Sequence, residues 1–235
     1  MTGWAAKRFW TAATAEACDG GFTVRLDGRP VKTPAKALLV LPTQAMAEAI
    51  AAEWDAQTGV VRPDTMPATR AANSAIDKVT PLLDAVVDEI SGFGGSDLLC
   101  YRAVDPPALV ARQEAAWAPL LDWAAGAFEA PLVVTQGVIP VAQPAESLAR
   151  LRAVVAGHSV FELAALHDLV AITGSLVLGL AVARGRLTPE EAFDLSRIDE
   201  HWQIEQWGED EEAAEAEALR RQALLAAGRF FALCG

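Results

Sequence analysis

Residues 187–221, LTPEEAFDLSRIDEHWQIEQWGEDEEAAEAEALRR, decide how the rest of the chain is read. The stretch opens with a helix start. Thr188 is placed to cap, Pro189 suits the first turn, and Glu191 stands three residues after the cap, as a capping box requires. At 100° per residue, Leu195, Ile198 and Trp202 share one face, while Glu200, Gln203, Ile204 and Trp207 share a second. A helix with two apolar faces is either enclosed by the protein or offers one face to something else. From Glu190 to Glu217 there are 12 acidic residues and one basic residue, Arg197, in a chain whose net charge is −12. The acidity is therefore local, and two readings of it stay open. One is a solvated helix whose tryptophans belong to the core; the other is a recognition surface of aromatic anchors with an acidic rim.

Composition narrows the class. The chain has 235 residues, 52% of them hydrophobic and 21% charged, which describes a globular protein with real cores rather than a disordered one. A pI near 4.7 argues against a nucleic-acid binder, whose footprint is basic. Cys18, Cys100 and Cys234 are scattered, odd in number and without CxxC spacing, so three thiols in a reducing compartment are expected. No secretory h-region follows Met1, and the longest uncharged apolar run, Leu169 to Ala183, is too short for a membrane span. That run reads as one buried helix, with Ala171, Ser175, Gly179 and Ala183 as a small-residue stripe for close helix approach. A soluble protein without stable membrane insertion is expected.

The N-terminal part predicts strands at Arg8 to Ala12 and Phe22 to Leu26, an Asp27-Gly28 hairpin turn, a return strand around Val31 to Thr33, and another at Ala37 to Leu41. Thr43 caps a helix through Met46, Ile50 and Trp54 that ends before Gly59 and covers one face of the meander. The domain boundary is expected at residue 62, with a β-rich domain at 1–62 and a helical domain at 63–235. The fold class is thus α+β: a small antiparallel β module with one covering helix, then a mainly helical region. Helices are expected at Ala68 to Val79, Pro81 to Phe93, Asp105 to Phe128, Ser147 to Ala156, Phe161 to Arg184 and Pro189 to Leu233. Leu132 to Val141, rich in valine and isoleucine between Pro131 and Pro140, reads as extended, either returning to the sheet or wrapping the helices.

Candidates for catalysis are weak. His167 and Asp168 are adjacent on a helix and point about 100° apart, so they form no dyad by themselves. Glu200-His201 lacks HExxH spacing, and Gly174 to Gly179 has a P-loop gap with Leu180-Ala181 where Lys and Ser or Thr belong. No metal and no cofactor is expected.

Five segments in order carry a family resemblance: Gly28-Arg-Pro-Val-Lys-Thr-Pro34, Ala51-Ala-Glu-Trp-Asp55, Asp97-Leu-Leu-Cys-Tyr-Arg102, Trp117-Ala-Pro-Leu-Leu-Asp-Trp123 and Leu195-Ser-Arg-Ile-Asp-Glu-His-Trp-Gln-Ile-Glu-Gln-Trp-Gly208. Over nearly its whole length the chain resembles the assembly chaperones of the F-type ATP synthase that bind the alpha subunit of the catalytic head. The resemblance implies a non-enzymatic chaperone that shields the surface later covered by the beta subunit. It carries partner binding onto Glu200, with Gln203, Trp207 and Gly208 beside it; Ile204 and Glu209 complete the expected set. Trp54 and Asp55 are carried over as structural. No presequence of the mitochondrial kind is expected, which points to a bacterial, cytoplasmic member; a monomer is also expected. Eukaryotic members carry another aromatic soon after the Trp-Gly pair, where this chain has Glu211-Glu-Ala-Ala214. The alternatives are a generic holdase for apolar segments, or a small hydrolase using His167, Asp168 and Glu200.

Overall fold

The computed structural model describes residues 7–235. It is of the α+β class and divides into two compact units. The first comprises the described residues up to Leu83, Val160–Ala165 and Arg229–Gly235; the second comprises Asp84–Ser159 and Leu166–Gly228. Residues 63–83 and the two later segments thus fall in the first unit, whereas the sequence pattern placed the boundary at residue 62.

In the first unit, β1 (Ala13–Cys18), β2 (Gly21–Leu26) and β3 (Arg29–Pro30) form an antiparallel sheet in the order β1-β2-β3. The turn between β2 and β3 has Asp27 at φ 47° and Gly28 at φ 80°, the two positive values that a two-residue hairpin loop requires. The Asp27 carboxylate also accepts from the backbone N–H groups of Thr11 and Ala12. Those bonds hold its pKa below the ordinary value. The first strand begins at Ala13 and not at Arg8: the Arg8 N–H goes to the Gly59 carbonyl, and the Thr11 and Ala12 N–H groups go to the Asp27 side chain. Ala37 to Leu41 is likewise no full strand, pairing only at single bridges, Leu38 with Lys32 and Leu41 with Phe22. Helix α1 (Gln44–Asp55) is capped by Thr43, whose Oγ1 accepts from the Met46 N–H, and it lies against β1 and β2. Met46 and Ile50 are fully buried in a core with Trp10, Val24, Leu39 and Leu41. Helix α1 stops at Asp55, four residues before Gly59. Trp54 meets Trp10 edge-on at 5.2 Å, and Asp55 accepts from the Arg8 guanidinium at 3.0 Å.

The two segments expected to break at Thr80-Pro81 run on without a break. Helix α2 (Pro67–Ser74) passes through a π turn at Ala75–Val79 and a 3-10 turn at Thr80–Leu82 into α3 (Leu83–Gly92). Proline has no N–H to place in an α-helical ladder, and the wider and tighter windings around Pro81 absorb that gap.

In the second unit, β4 (Tyr101–Arg102) leads to α4 (Pro107–Phe128), and β5 (Thr135–Gln136) returns to pair in parallel with β4. The extended segment therefore forms a two-stranded sheet of its own. Helices α5 (Ala145–Ala156), α6 (Val160–Thr173) and α7 (Leu176–Ala183) follow. The apolar run expected as one helix is broken at Gly174, φ 69°, and Ser175, which caps α7. Ser175 is therefore no member of a small-residue stripe. Gly179 is, because a Cβ there would sit 2.4 Å from the Val170 Cγ2 of α6. Buried Asp97 joins the pieces: its carboxylate accepts from the Ser175 hydroxyl at 2.8 Å and from the Leu99 and Val177 N–H groups at 3.0 Å. Even so, full burial pushes its pKa up to about 6.

Candidate functional site

Thr188 and Glu191 do make the reciprocal capping box, and it opens α8 (Pro189–Ser196). The expected single helix from Pro189 to Leu233 is three helices. Arg197, at φ −112° and ψ 18°, separates α8 from α9 (Ile198–Trp207), and Gly208 to Asp210 separate α9 from α10 (Glu211–Ala232). Gly208 has φ 89° and ψ 169°, a conformation open essentially to glycine alone. Space is not the reason for a glycine, since nothing lies within 4 Å of where its Cβ would be. Asp210 then accepts from the Ala213 N–H at 2.9 Å and starts α10.

The two faces of α9 part company. Ile198 is buried, and Leu195 and Trp202 pack with it against Trp117, Leu120 and Val177. Helix α4 anchors this inner face by four hydrogen bonds: the Trp117 Nε1–H donates to the Leu195 carbonyl at 2.8 Å, Gln113 Nε2 donates to Asp199 Oδ1 at 2.5 Å, and Arg112 holds Glu205 bidentately at 2.7 and 2.9 Å. Arg112 also lies over the Trp202 ring at 4.9 Å, and it holds the Glu205 carboxyl below its ordinary pKa. None of these partners, distant in sequence, is signalled by local sequence. Gln113, fully buried like Trp117, looks in the sequence like any polar helix residue.

The outer face lines a groove of about 400 Å³. Glu200, Gln203, Ile204, Trp207, Gly208 and Glu209, all six expected contact residues, border it. Trp207 is 79% exposed. Opposite them, Ala213, Ala214 and Ala216 of α10 make a low wall. Arg197 Nη1 pairs with Glu200 at 2.8 Å, and His201 Nε2 meets Glu217 at 2.8 Å, tying α9 to α10 below the rim. The arrangement presents a flat indole, an isoleucine and carboxylates around a shallow space. It offers a binding surface and no assembled nucleophile or proton relay.

His167 and Asp168 do touch, contrary to the 100° separation expected for neighbours on a helix, with His167 Nδ1 3.1 Å from Asp168 Oδ1. Side chains long enough to lean toward each other close that angle. This contact and Glu89 at 3.6 Å raise the His167 pKa, the Asp168 hydrogen bond first. Glu200 is engaged elsewhere, by Arg197, and neither His167 nor Asp168 borders its groove. The three residues of the hydrolase alternative are not brought together. Among the described residues, no group of three His, Cys, Asp or Glu could hold a metal ion, and no helix is long and apolar enough to cross a membrane.

Comparison with known proteins extends these observations. A family model described as "ATP12 chaperone protein" matches residues 7–125. The mitochondrial protein atp12 of Schizosaccharomyces pombe is 25% identical over 247 residues, covering 97% of this chain and 82% of the yeast protein. The crystal structure of Atp12 from Paracoccus denitrificans superposes with a TM-score of 0.95 at 52% identity, covering 98% of this chain and 99% of that one. A protein from Agrobacterium tumefaciens superposes with a TM-score of 0.93 at 45% identity, over 97% of this chain and 86% of that one. The family match stops short of the groove, whereas the whole-chain likenesses include it.

Proposed function

We propose, because the chain belongs to the ATP12 chaperone family, that it assists assembly of the F-type ATP synthase by holding the unassembled alpha subunit and shielding the surface the beta subunit later covers. The groove between α9 and α10 is the grip. It works without a cofactor or a catalytic step, and its setting is the bacterial cytoplasm. One observation carries this reading: Trp207, a large aromatic in an acidic groove, is left 79% exposed while the opposite face of the same helix is locked to α4.

The physics suits a temporary holder. A subunit surface awaiting its neighbour exposes apolar area that promotes aggregation. An exposed indole covers such area at small entropic cost, because its rigid ring has few rotamers to lose. The carboxylates around it speed encounter with a client of opposite charge and weaken with salt. Glu200→Lys inverts the charge beside Arg197, and Trp207→Ala removes the anchor. Both variants are expected to fold and to lose most capture of purified ATP synthase alpha subunit in a pull-down. Equal capture by wild type and both variants would remove the groove from the mechanism. The holdase reading is separated by a client panel: preference for the alpha subunit over unrelated unfolded proteins supports the dedicated chaperone, and equal suppression of their aggregation contradicts it.

A further inference from the structure

The groove between α9 and α10 restricts the conformation of what can enter it. Its lining follows α9 from Arg197 to Gly208 and α10 from Asp210 to Arg220, all within one compact unit. Along α9 that is roughly 16 Å at 1.5 Å per residue. The first half of α10 is covered by very little: from Glu211 to Arg220 only Ala214 and Glu217 are half-buried, and Leu219 is 67% exposed. Both walls are α-helices, so between their ends the backbone N–H and C=O groups are already bonded along each helix. An extended segment laid between them finds no free strand edge, and on its inner side its own N–H and C=O groups would lose water without gaining a partner. A helix brings its backbone bonds with it. Ala213 and Ala216 keep one wall low, which lets the axis of a third helix come close to the other two.

Charge decides the sequence of that helix. At the Arg197 end of the groove the carboxylates are already answered, Glu200 by Arg197 and Glu217 by His201. At the Gly208 end they are not. Glu209, Asp210, Glu211, Glu212 and Glu215 are all exposed, and none has an ion-pair partner among the described residues. The positive end of the α10 dipole offsets part of Glu211 and Glu212, and Asp210 accepts from the Ala213 N–H. Glu209 and Glu215 have no such local use. A second copy of the chain brings the same hairpin, with 12 acidic residues and one basic residue from Glu190 to Glu217, so two grooves placed face to face repel. Nucleic acid and anionic lipid are repelled for the same reason. A segment with lysine or arginine beside an apolar stripe is attracted.

We propose that the groove takes a basic, amphipathic helix of the client, about ten residues long, which lies along α9 and α10 as the third helix of a small bundle. Its apolar stripe covers Ile204 and Trp207, and its lysines or arginines stand at the Gly208 end, against Glu209 and Glu215. This inference rests on the chaperone reading for the partner's identity; the helical, basic character of the segment rests on the groove alone. A helix this short is marginal by itself in water. A free peptide of the right kind therefore gains helicity as it docks.

The test uses the full chain and a fluorescein-labelled, end-capped twelve-residue peptide of leucine, alanine and lysine, with its leucines at helical spacing. Controls are the same peptide with two central prolines and one with glutamate in place of lysine. Anisotropy titrations at low salt follow wild type, Trp207→Ala and a Glu209→Gln, Glu215→Gln double variant, all of which change exposed side chains. Circular dichroism reads peptide helicity, and NMR reads the Trp207 indole N–H, assigned by its loss in Trp207→Ala. The parent peptide is expected to bind wild type at least tenfold more tightly than either control does, to gain helicity and to shift the Trp207 resonance. It is expected to lose at least tenfold in Trp207→Ala and at least threefold in the double variant. Equal binding by the proline peptide, or binding without added helicity, would overturn the helix. Equal binding by the glutamate peptide, or unchanged binding by the double variant, would overturn the charge selection. Binding that ignores Trp207→Ala would place the peptide outside the groove and overturn the proposal, and a wild-type dimer in sedimentation that Trp207→Ala abolishes would overturn it in favour of a second copy. If the alpha subunit is captured through Trp207 but no helical peptide binds, this inference falls while the chaperone reading stands. If the peptide binds as described but no alpha subunit is captured, the chaperone reading falls and the helix site remains.

Discussion

Replacing Trp207 with alanine separates a docking residue from a packing residue. A tryptophan side chain offers up to about 250 Å² for burial. With 79% exposed, roughly 200 Å² of that area awaits a partner and roughly 50 Å² is already covered. At about 25 cal/mol per Å² the covered part is worth ~1 kcal/mol, which bounds the stability lost by Trp207→Ala. A client that covers half of the remainder gains about 2.5 kcal/mol, less roughly 0.5–1 kcal/mol for ordering the side chain. The net of about 1.5–2 kcal/mol corresponds to a ten- to thirtyfold weaker Kd. Isothermal titration of the variant with purified alpha subunit reads the binding term, and urea unfolding of the free protein reads the stability term. A Kd within twofold of wild type would refute Trp207 as an anchor. A stability loss above ~3 kcal/mol would show the ring to be part of the fold.

Three further outcomes are expected. Asp97 has its pKa raised from 3.8 to about 6 by burial, so its neutral form is the one the fold favours. Its stabilising share is present below pH 3.8 and is lost as pH rises through 6, on the order of 2–3 kcal/mol. Urea unfolding of wild type and Asp97→Asn from pH 4 to 7 should show wild type losing ground to the variant as pH rises, and a flat or widening advantage contradicts this. Gly208→Ala forces a side chain onto φ 89° and should cost about 1–3 kcal/mol in thermal or chemical unfolding; a neutral change would mean the turn has another conformation in solution. Gly179→Ala places a Cβ 2.4 Å from Val170, and overpacking of about 1–3 kcal/mol is expected from the unfolding midpoint. An unchanged midpoint would show that α6 and α7 can move apart freely.

Much of the candidate site is legible in residues 187–221, because its signals are local. The capping box, the two apolar faces and the Trp-Gly pair depend on neighbours within a few residues, and they reappear as α8, the two sides of α9 and the turn into α10. The break at Arg197 is not legible, since no glycine or proline marks it. Packing interrupts the helix there, where Leu195 gives its carbonyl to Trp117 and Asp199 accepts from Gln113. The break at Gly174-Ser175 could have been read from a glycine followed by a capping serine. The uniform hydrophobicity of Leu169 to Ala183 conceals it, because an all-apolar run has no face to lose.

By itself the sequence determined the fold class, the concentration of charge in one helical region and the division of α9 into two apolar faces, because periodicity and capping act along the chain. Which face stays exposed was decided by packing against α4. Tertiary structure alone decided that β5 returns to β4, that Val160–Ala165 and Arg229–Gly235 join the first unit, and that Arg102 stands buried beside Trp117 with its Nη1 on the Gln113 carbonyl. Those outcomes depend on contacts between residues far apart in sequence. Their energies arise only when burial removes water from both partners, and a local pattern holds no record of that event.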